Sequence, residues 1–264
     1  KKEVVSLLAQ RQIPLIEDDV AGDLYFGPSR PTVFKMFDTQ GLVILCSSFS
    51  KTLCPGYRIG WIMPGRFRAQ AYSVKATTNV CTATPTQEAV AMFLQEGRYE
   101  RHLRALRRRL LEQTQAMQLH ISRTFPGGTR VSRPEGGGVL WVELPRGVDS
   151  VELMYQAREQ GISIAPGTIF STQDRFANCI RLNTGNPWNE KLARGVEGLG
   201  SLVHGMLPAG SWTLGHSGLL TRIARCSKKP ACRRCLQPPA SFTWNWPPCA
   251  TCAAPCASNI RPAG

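Results

Sequence analysis

Lys51 is the residue best placed for covalent chemistry. It lies in the run Ser47-Ser48-Phe49-Ser50-Lys51-Thr52-Leu53-Cys54-Pro55-Gly56-Tyr57-Arg58-Ile59-Gly60-Trp61, between apolar stretches at 42–46 and 58–63 that read as buried strands. A lysine is costly in such a turn unless it is used. Partial burial and nearby positive charge lower its pKa, and the neutral amine then condenses readily with an aldehyde. Ser48, Ser50 and Arg58 add two hydroxyl donors and a guanidinium fork, a donor set that suits a phosphate. Two other positions carry charge in strand-like surroundings. Glu17-Asp18-Asp19 follows the apolar run at 13–16, and acidic residues at the carboxyl end of a strand are site candidates in open α/β sheets. Arg181 alternates with Ile180 and Leu182, so it faces away from them.

These groups need elements to hold them. Val4, Leu7 and Leu8 recur at helical spacing over 4–11, with a strand next over 13–16. Helices are expected over 67–77, from Thr86 after Pro85 to 96, and over 98–125. The last carries Leu103, Leu106, Leu110, Met117 and Ile121 near helical spacing and stops at Pro126-Gly127-Gly128. Its arginines 101, 104, 107, 108 and 109 spread over more than one face and read as a solvated surface. Beyond 129 the pattern is mixed: strands over 130–132 and 139–144, a helix over 151–160, a short strand with the Pro166-Gly167 turn, the Arg181 strand, and a helix over 189–204. Gly136-Gly137-Gly138 suits a bulge or close backbone approach better than an anion nest.

A reactive amine beside a phosphate cradle suggests pyridoxal phosphate, whose protein partner is a lysine. At these residues the chain resembles fold type I (class I/II) aminotransferases, and within them most resembles the aminotransferase-like domain of MocR/GntR-type transcription regulators. The resemblance covers about residues 1–206. It implies an α/β fold, N-terminally truncated: the C-terminal part of a large, mostly parallel-sheet domain with its long linking helix over 1–125, and a small α+β domain over 126–206. It also implies the site. Lys51 falls on the Schiff-base lysine, and Ser48, Ser50 and Arg58 fall on the phosphate ligands of pyridoxal 5'-phosphate. Asp18 falls on the partner of the ring nitrogen, with Asp19 its nearest rival, and Arg181 on the receiver of an amino acid's carboxylate. Thr168 and Phe170, after the Pro-Gly turn, fall near the mouth of the pocket. One position departs. Where the family has a tyrosine for the cofactor's phenolic oxygen, this chain has Ala21, with Tyr25 four residues on. That departure argues against efficient transamination. The resemblance further implies a homodimer that takes an amino acid or amine as effector or substrate. DNA contact would come only through an upstream domain this sequence lacks, and the incomplete site by itself is expected to be inactive.

The 264 residues carry a formal net charge of +14, but seven basic residues and no Asp or Glu lie in 207–264. Nucleic-acid binding by the rest is therefore not implied by charge. No apolar run approaches membrane-spanning length, and a cytoplasmic location is expected. Residues 207–264 are rich in cysteine and proline and read as a disordered or frameshifted extension without a core. Cys232-x-x-Cys235 and Cys249-x-x-Cys252 are spaced like a zinc ribbon. They lack the usual glycines and have Pro238-Pro239 and Pro247-Pro248 between them, so no metal site is expected. Cys46, Cys54, Cys81 and Cys179 read as reduced thiols. Three functions follow as expectations: an effector-sensing domain of a regulator, a working aminotransferase, or a truncated product that does not fold stably.

Overall fold

The computed structural model describes residues 1–173 and 175–208, so the expectations for the cysteine-rich segment beyond residue 208 lie outside the described residues. The first layer is a three-stranded sheet in the order β1 (Leu15–Asp18), β2 (Val43–Ser48), β3 (Gly60–Met63). β1 and β2 run parallel, and β3 returns antiparallel to β2. The connections explain this. Residues 19–42 are long enough for a crossover, whereas residues 49–59 fold only into turns and reverse the chain. β2 buries Val43, Leu45 and Ser47 and turns Ile44, Cys46 and Ser48 to the opposite face. Asp18 pairs with Cys46 and Ser48 with Gly60, so Asp18 and Ser48 share that second face at the carboxyl end of the parallel pair.

Three helices precede the long one or lead into it. α1 (Lys2–Gln10) buries Val5, whereas Val4 and Leu7, expected on its packed side, are 45% and 50% exposed. α2 spans Arg68–Thr78 and α3 spans Thr84–Gln95. α3 starts two residues before its expected first residue because Pro85 fits the first turn, where its missing N–H has no intrahelical partner to lose. α4 (Arg98–Thr124) has 27 residues and spans about 40 Å. Gly97 caps it in the left-handed region at φ 63°, a conformation glycine adopts without strain.

The second sheet is antiparallel throughout, in the order β4 (Arg130–Val131), β5 (Val139–Glu143), β7 (Cys179–Asn183), β6 (Ala165–Pro166). α5 (Ser150–Glu159) and α6 (Glu190–Gly205) have side-chain caps: Asp149 accepts from the N–H groups of Val151 and Glu152, and Asn189 from that of Leu192. The principal core lies here. Met117 and Ile121 of α4 pack with Leu140 and Val142 of β5, Ile180 of β7, Leu153 of α5 and Leu199 and Val203 of α6. The first sheet is less covered, with Ile16 72% exposed and Trp61, Ile62 and Met63 exposed along β3. The triple glycine makes a close approach. Gly136 bridges Tyr25, a Cβ on it would stand 2.5 Å from Leu24 O, and Gly137 N–H donates to the same oxygen at 2.7 Å. Among the described residues no helix is long and apolar enough to cross a membrane. Cys46, Cys54, Cys81 and Cys179 are free thiols, and burial pushes that of Cys179 up to about 11.

Candidate functional site

β2 delivers Ser47 and Ser48 to the end of the sheet, and the chain then closes round Lys51. Leu53 and Cys54 N–H groups both donate to Phe49 O, at 2.8 and 3.2 Å, and Phe49 N–H donates to Ile59 O at 3.0 Å. Ser50 N–H donates to Ser48 Oγ at 3.4 Å, which keeps the two hydroxyl residues together. Lys51 is half-buried inside this turn. Burial lowers the pKa of its amine, the positive charges of Arg181 and Arg58 lower it further, and Asp18 opposes them. Three charged groups from separate parts of the chain thus act on one amine.

Each partner is held by its own element. Arg58 closes the short helical turn Pro55–Tyr57 in the left-handed region, at φ 54° and ψ 34°, and its Nη1 donates to Pro55 O at 3.3 Å. That backbone costs a non-glycine residue about 1 kcal/mol, so the surrounding turn imposes it. Arg181 sits on β7 opposite Trp141 of β5 and Ala165 of β6. Its guanidinium lies 5.1 Å from the centre of the Phe170 ring, and burial lowers its pKa. Phe170 in turn meets Trp141 edge-on at 5.5 Å. Asp18 ends β1 and accepts from Val20 N–H at 3.2 Å.

The two neighbouring aspartates have different partners. Asp19 is ion-paired with Arg30, whose Nε also donates to Asp23 Oδ1 at 2.7 Å. Burial lifts the Asp19 carboxyl above its usual range even against the Arg30 hydrogen bond. Ala21 is exposed, and the Tyr25 ring lies 4.3 Å from the Arg107 guanidinium. Arg107 is therefore not the solvated residue its helix pattern implied: it covers Tyr25, and its Nη1 donates to Asp23 O at 3.2 Å.

Sequence reasoning also passed over a polar cluster behind the lysine. Thr52 is buried, His102 Nε2 donates to its carbonyl at 2.6 Å, and the Tyr99 hydroxyl lies 3.0 Å from its hydroxyl. The available signal was the i, i+3 spacing of Tyr99 and His102, which puts both on one face of α4.

No family model matches the chain. Over 203 residues it is 39% identical to the uncharacterized HTH-type transcriptional regulator YdcR of Escherichia coli (strain K12), an alignment covering 77% of this chain and 43% of the regulator. Among solved structures it matches LysN, the alpha-aminoadipate aminotransferase of Thermus thermophilus, complexed with N-(5'-phosphopyridoxyl)-L-leucine. There the TM-score is 0.72 and the identity 32%, over 78% of this chain and 54% of LysN. The kynurenine aminotransferase of Pyrococcus horikoshii matches with a TM-score of 0.72 and 29% identity, over 79% of this chain and 52% of that one. The chain has the fold of the fold type I aminotransferases. It spans less than half the length of the regulator and about half that of the two enzymes.

Pyridoxal-phosphate dependence is a property of these aminotransferases, and the residues of this aminotransferase-like chain fit that group. The amine of Lys51 is shifted toward its neutral form, and the two serines held together beside it suit a phosphate's oxygens. Gly60, paired with Ser48, has no room for a side chain: a Cβ there would stand 2.7 Å from Ser47 O. The neighbouring strand therefore carries no side chain opposite Ser48. Asp18 supplies a carboxylate to the same field.

Proposed function

We propose that this chain carries a pyridoxal-phosphate site of the aminotransferase type. In this reading the Lys51 amine holds the cofactor's aldehyde as a Schiff base. Ser48, Ser50 and Arg58 donate to its phosphate, and Asp18 keeps a proton on its ring nitrogen. Arg181 receives the carboxylate of an amino acid as a bidentate pair. The observation that carries the reading is the shared field at Lys51, where burial, Arg181 and Arg58 lower the amine's pKa and the Asp18 carboxylate opposes them. An amine so placed is the nucleophile that aldehyde condensation needs, with the carboxylate and the phosphate donors on the same sheet end. When bound, the cofactor supplies an electron sink for a carbanion.

The role we assign is that of the effector-sensing domain of a MocR/GntR-type regulator, built from residues 1–125 and 126–206. It would act in the cytoplasm as a homodimer and meet DNA through a segment outside this sequence. The similarity to a helix-turn-helix regulator over 77% of the chain supports that role. So does Ala21, which has no hydroxyl for the cofactor's phenolic oxygen, while Tyr25 is engaged with Arg107. The second reading is a working aminotransferase that moves an amino group between an amino acid and a 2-oxo acid. The likeness to LysN favours it.

Pyridoxal-phosphate titration of the whole chain, followed by visible absorbance, tests the site. A saturable band that is lost in Lys51→Ala is expected. No band, or the same band in the variant, overturns the reading. Amino acids added to the loaded protein separate the roles: a spectral change without 2-oxo acid release supports sensing, and stoichiometric or repeated release supports the enzyme.

A further inference from the structure

We propose that Tyr99 and His102, on the first turns of α4, are positioning residues that hold the Lys51 amine in place through Thr52. The inference rests on the reading of Lys51 given above and adds to it the residues that set where the amine stands.

Thr52 follows Lys51 directly and is 3% exposed, and both of its hydrogen-bonding oxygens are taken by α4. The Thr52 carbonyl only accepts, so the 2.6 Å contact fixes Nε2 of His102 as a donor. The Tyr99 hydroxyl stands 3.0 Å from Thr52 Oγ1 and 3.3 Å from Asp23 Oδ2. With one proton to give, it donates to the carboxylate and accepts from the threonine. Tyr99 also grips the other side of the lysine, because its ring meets that of Phe49 edge-on at 5.7 Å. Lys51 therefore lies between two residues, Phe49 and Thr52, that are both fastened to Tyr99.

The fastening continues to the carboxylate side of the site. Asp23 Oδ1 accepts from Arg30 Nε at 2.7 Å, and Arg30 also pairs with Asp19, the neighbour of Asp18. Ser47 Oγ donates to Asp19 O at 3.1 Å, which joins that loop to the end of β2. Arg107, two turns further along α4, donates to Asp23 O at 3.2 Å. The start of α4 thus holds the loop of the amine and the loop of the carboxylate against one rigid element. A displacement of about 1 Å between such groups is enough to cost a site much of its effectiveness.

The test uses the whole chain without cofactor, and its readout is the titration of the Lys51 amine. Competitive labelling with acetic anhydride across pH, quantified by peptide mass spectrometry against exposed Lys2, gives the midpoint. Among the described residues, Arg181, Arg58 and Asp18 are charged groups that act on that amine. Tyr99→Phe keeps the ring packing and removes the hydroxyl. His102→Leu removes the donor, and His102→Gln restores an N–H donor. Released from its clamp the amine gains water, so Tyr99→Phe and His102→Leu should raise the midpoint by about half a pH unit or more. His102→Gln should stay near the parent. Circular dichroism and melting show which variants fold; if His102→Leu does not, Tyr99→Phe decides. Unmoved midpoints in folded variants, or a rise in His102→Gln equal to that in His102→Leu, overturn the inference. A parent that forms no visible band with pyridoxal phosphate would sink the functional reading instead, and the labelling result would stand apart from it.

Discussion

Thr114 and Thr184 are hydrogen-bonded hydroxyl to hydroxyl at 2.9 Å, and neither side chain is more than 2% exposed. The pair ties the middle of α4 to the residue that follows β7, the strand of Arg181. Valine replaces threonine with nearly the same shape and the same χ1 restriction, so Thr114→Val tests the hydroxyl and little else. Each single substitution leaves one buried hydroxyl without a partner, at about 1–3 kcal/mol. Changing both removes the unpaired group and puts two methyls in contact, so the double variant should lose about 1 kcal/mol or less. The coupling in a double-mutant cycle, the sum of the single losses less the loss in the double variant, should therefore be about 1–5 kcal/mol. Urea unfolding measures it, with a shift of about 2–4 °C in Tm per kcal/mol as a check. Two results would refute the reasoning: single variants as stable as the parent, or single losses that add up in the double variant. Either would mean that the hydroxyls find other partners and that the pair does not hold α4 to the arginine strand.

Asp38 offers a pH-dependent test. Burial pushes its pKa up, but Lys35 and the N–H groups of Val43 and Leu42 outweigh it, so the folded pKa lies below 3.8. The unfolded chain then binds more protons in that range, so this contribution is full above about pH 4 and is lost as pH falls through the folded pKa. Asp38→Asn should flatten that part of the acid limb of the stability profile. An unchanged acid limb would count against it. Gly136→Ala should destabilise by about 1–3 kcal/mol, because its Cβ would stand 2.5 Å from Leu24 O, and thermal melting reads the loss. A neutral effect would show that the Leu24–Gly136 approach relaxes freely. Arg181→Gln removes the second largest influence lowering the Lys51 pKa, so Lys51 should titrate at higher pH in a labelling experiment. A midpoint that does not rise would separate the two groups.

Much of the local structure was legible because it depends on spacing. The 3.6-residue recurrence from Leu103 to Ile121 marks α4, and alternation round Arg181 marks β7. Boundaries moved by one or two residues where a cap or proline decided them, as at Thr84 and Asn189. Val4 and Leu7 show the limit of such patterns. Periodicity says which residues share a face, while Val5 is the one that α1 buries.

By itself the sequence determined the chemistry on offer: an amine in a turn between strands, hydroxyls and a guanidinium beside it, a carboxylate at a strand end and an alternating arginine. It did so because a turn motif and a strand alternation are local properties, complete within a few residues. Only the tertiary structure decided which groups act on one another. Asp18 and Asp19 are adjacent in the chain, yet Asp19 is committed to Arg30 while Asp18 faces the lysine's field. Arg107 follows a surface-like pattern, yet it covers Tyr25. Tyr99 and His102 carry no site motif, yet they take both oxygens of Thr52. Those outcomes depend on contacts between residues distant in sequence, and such contacts exist only once the sheets and α4 have packed.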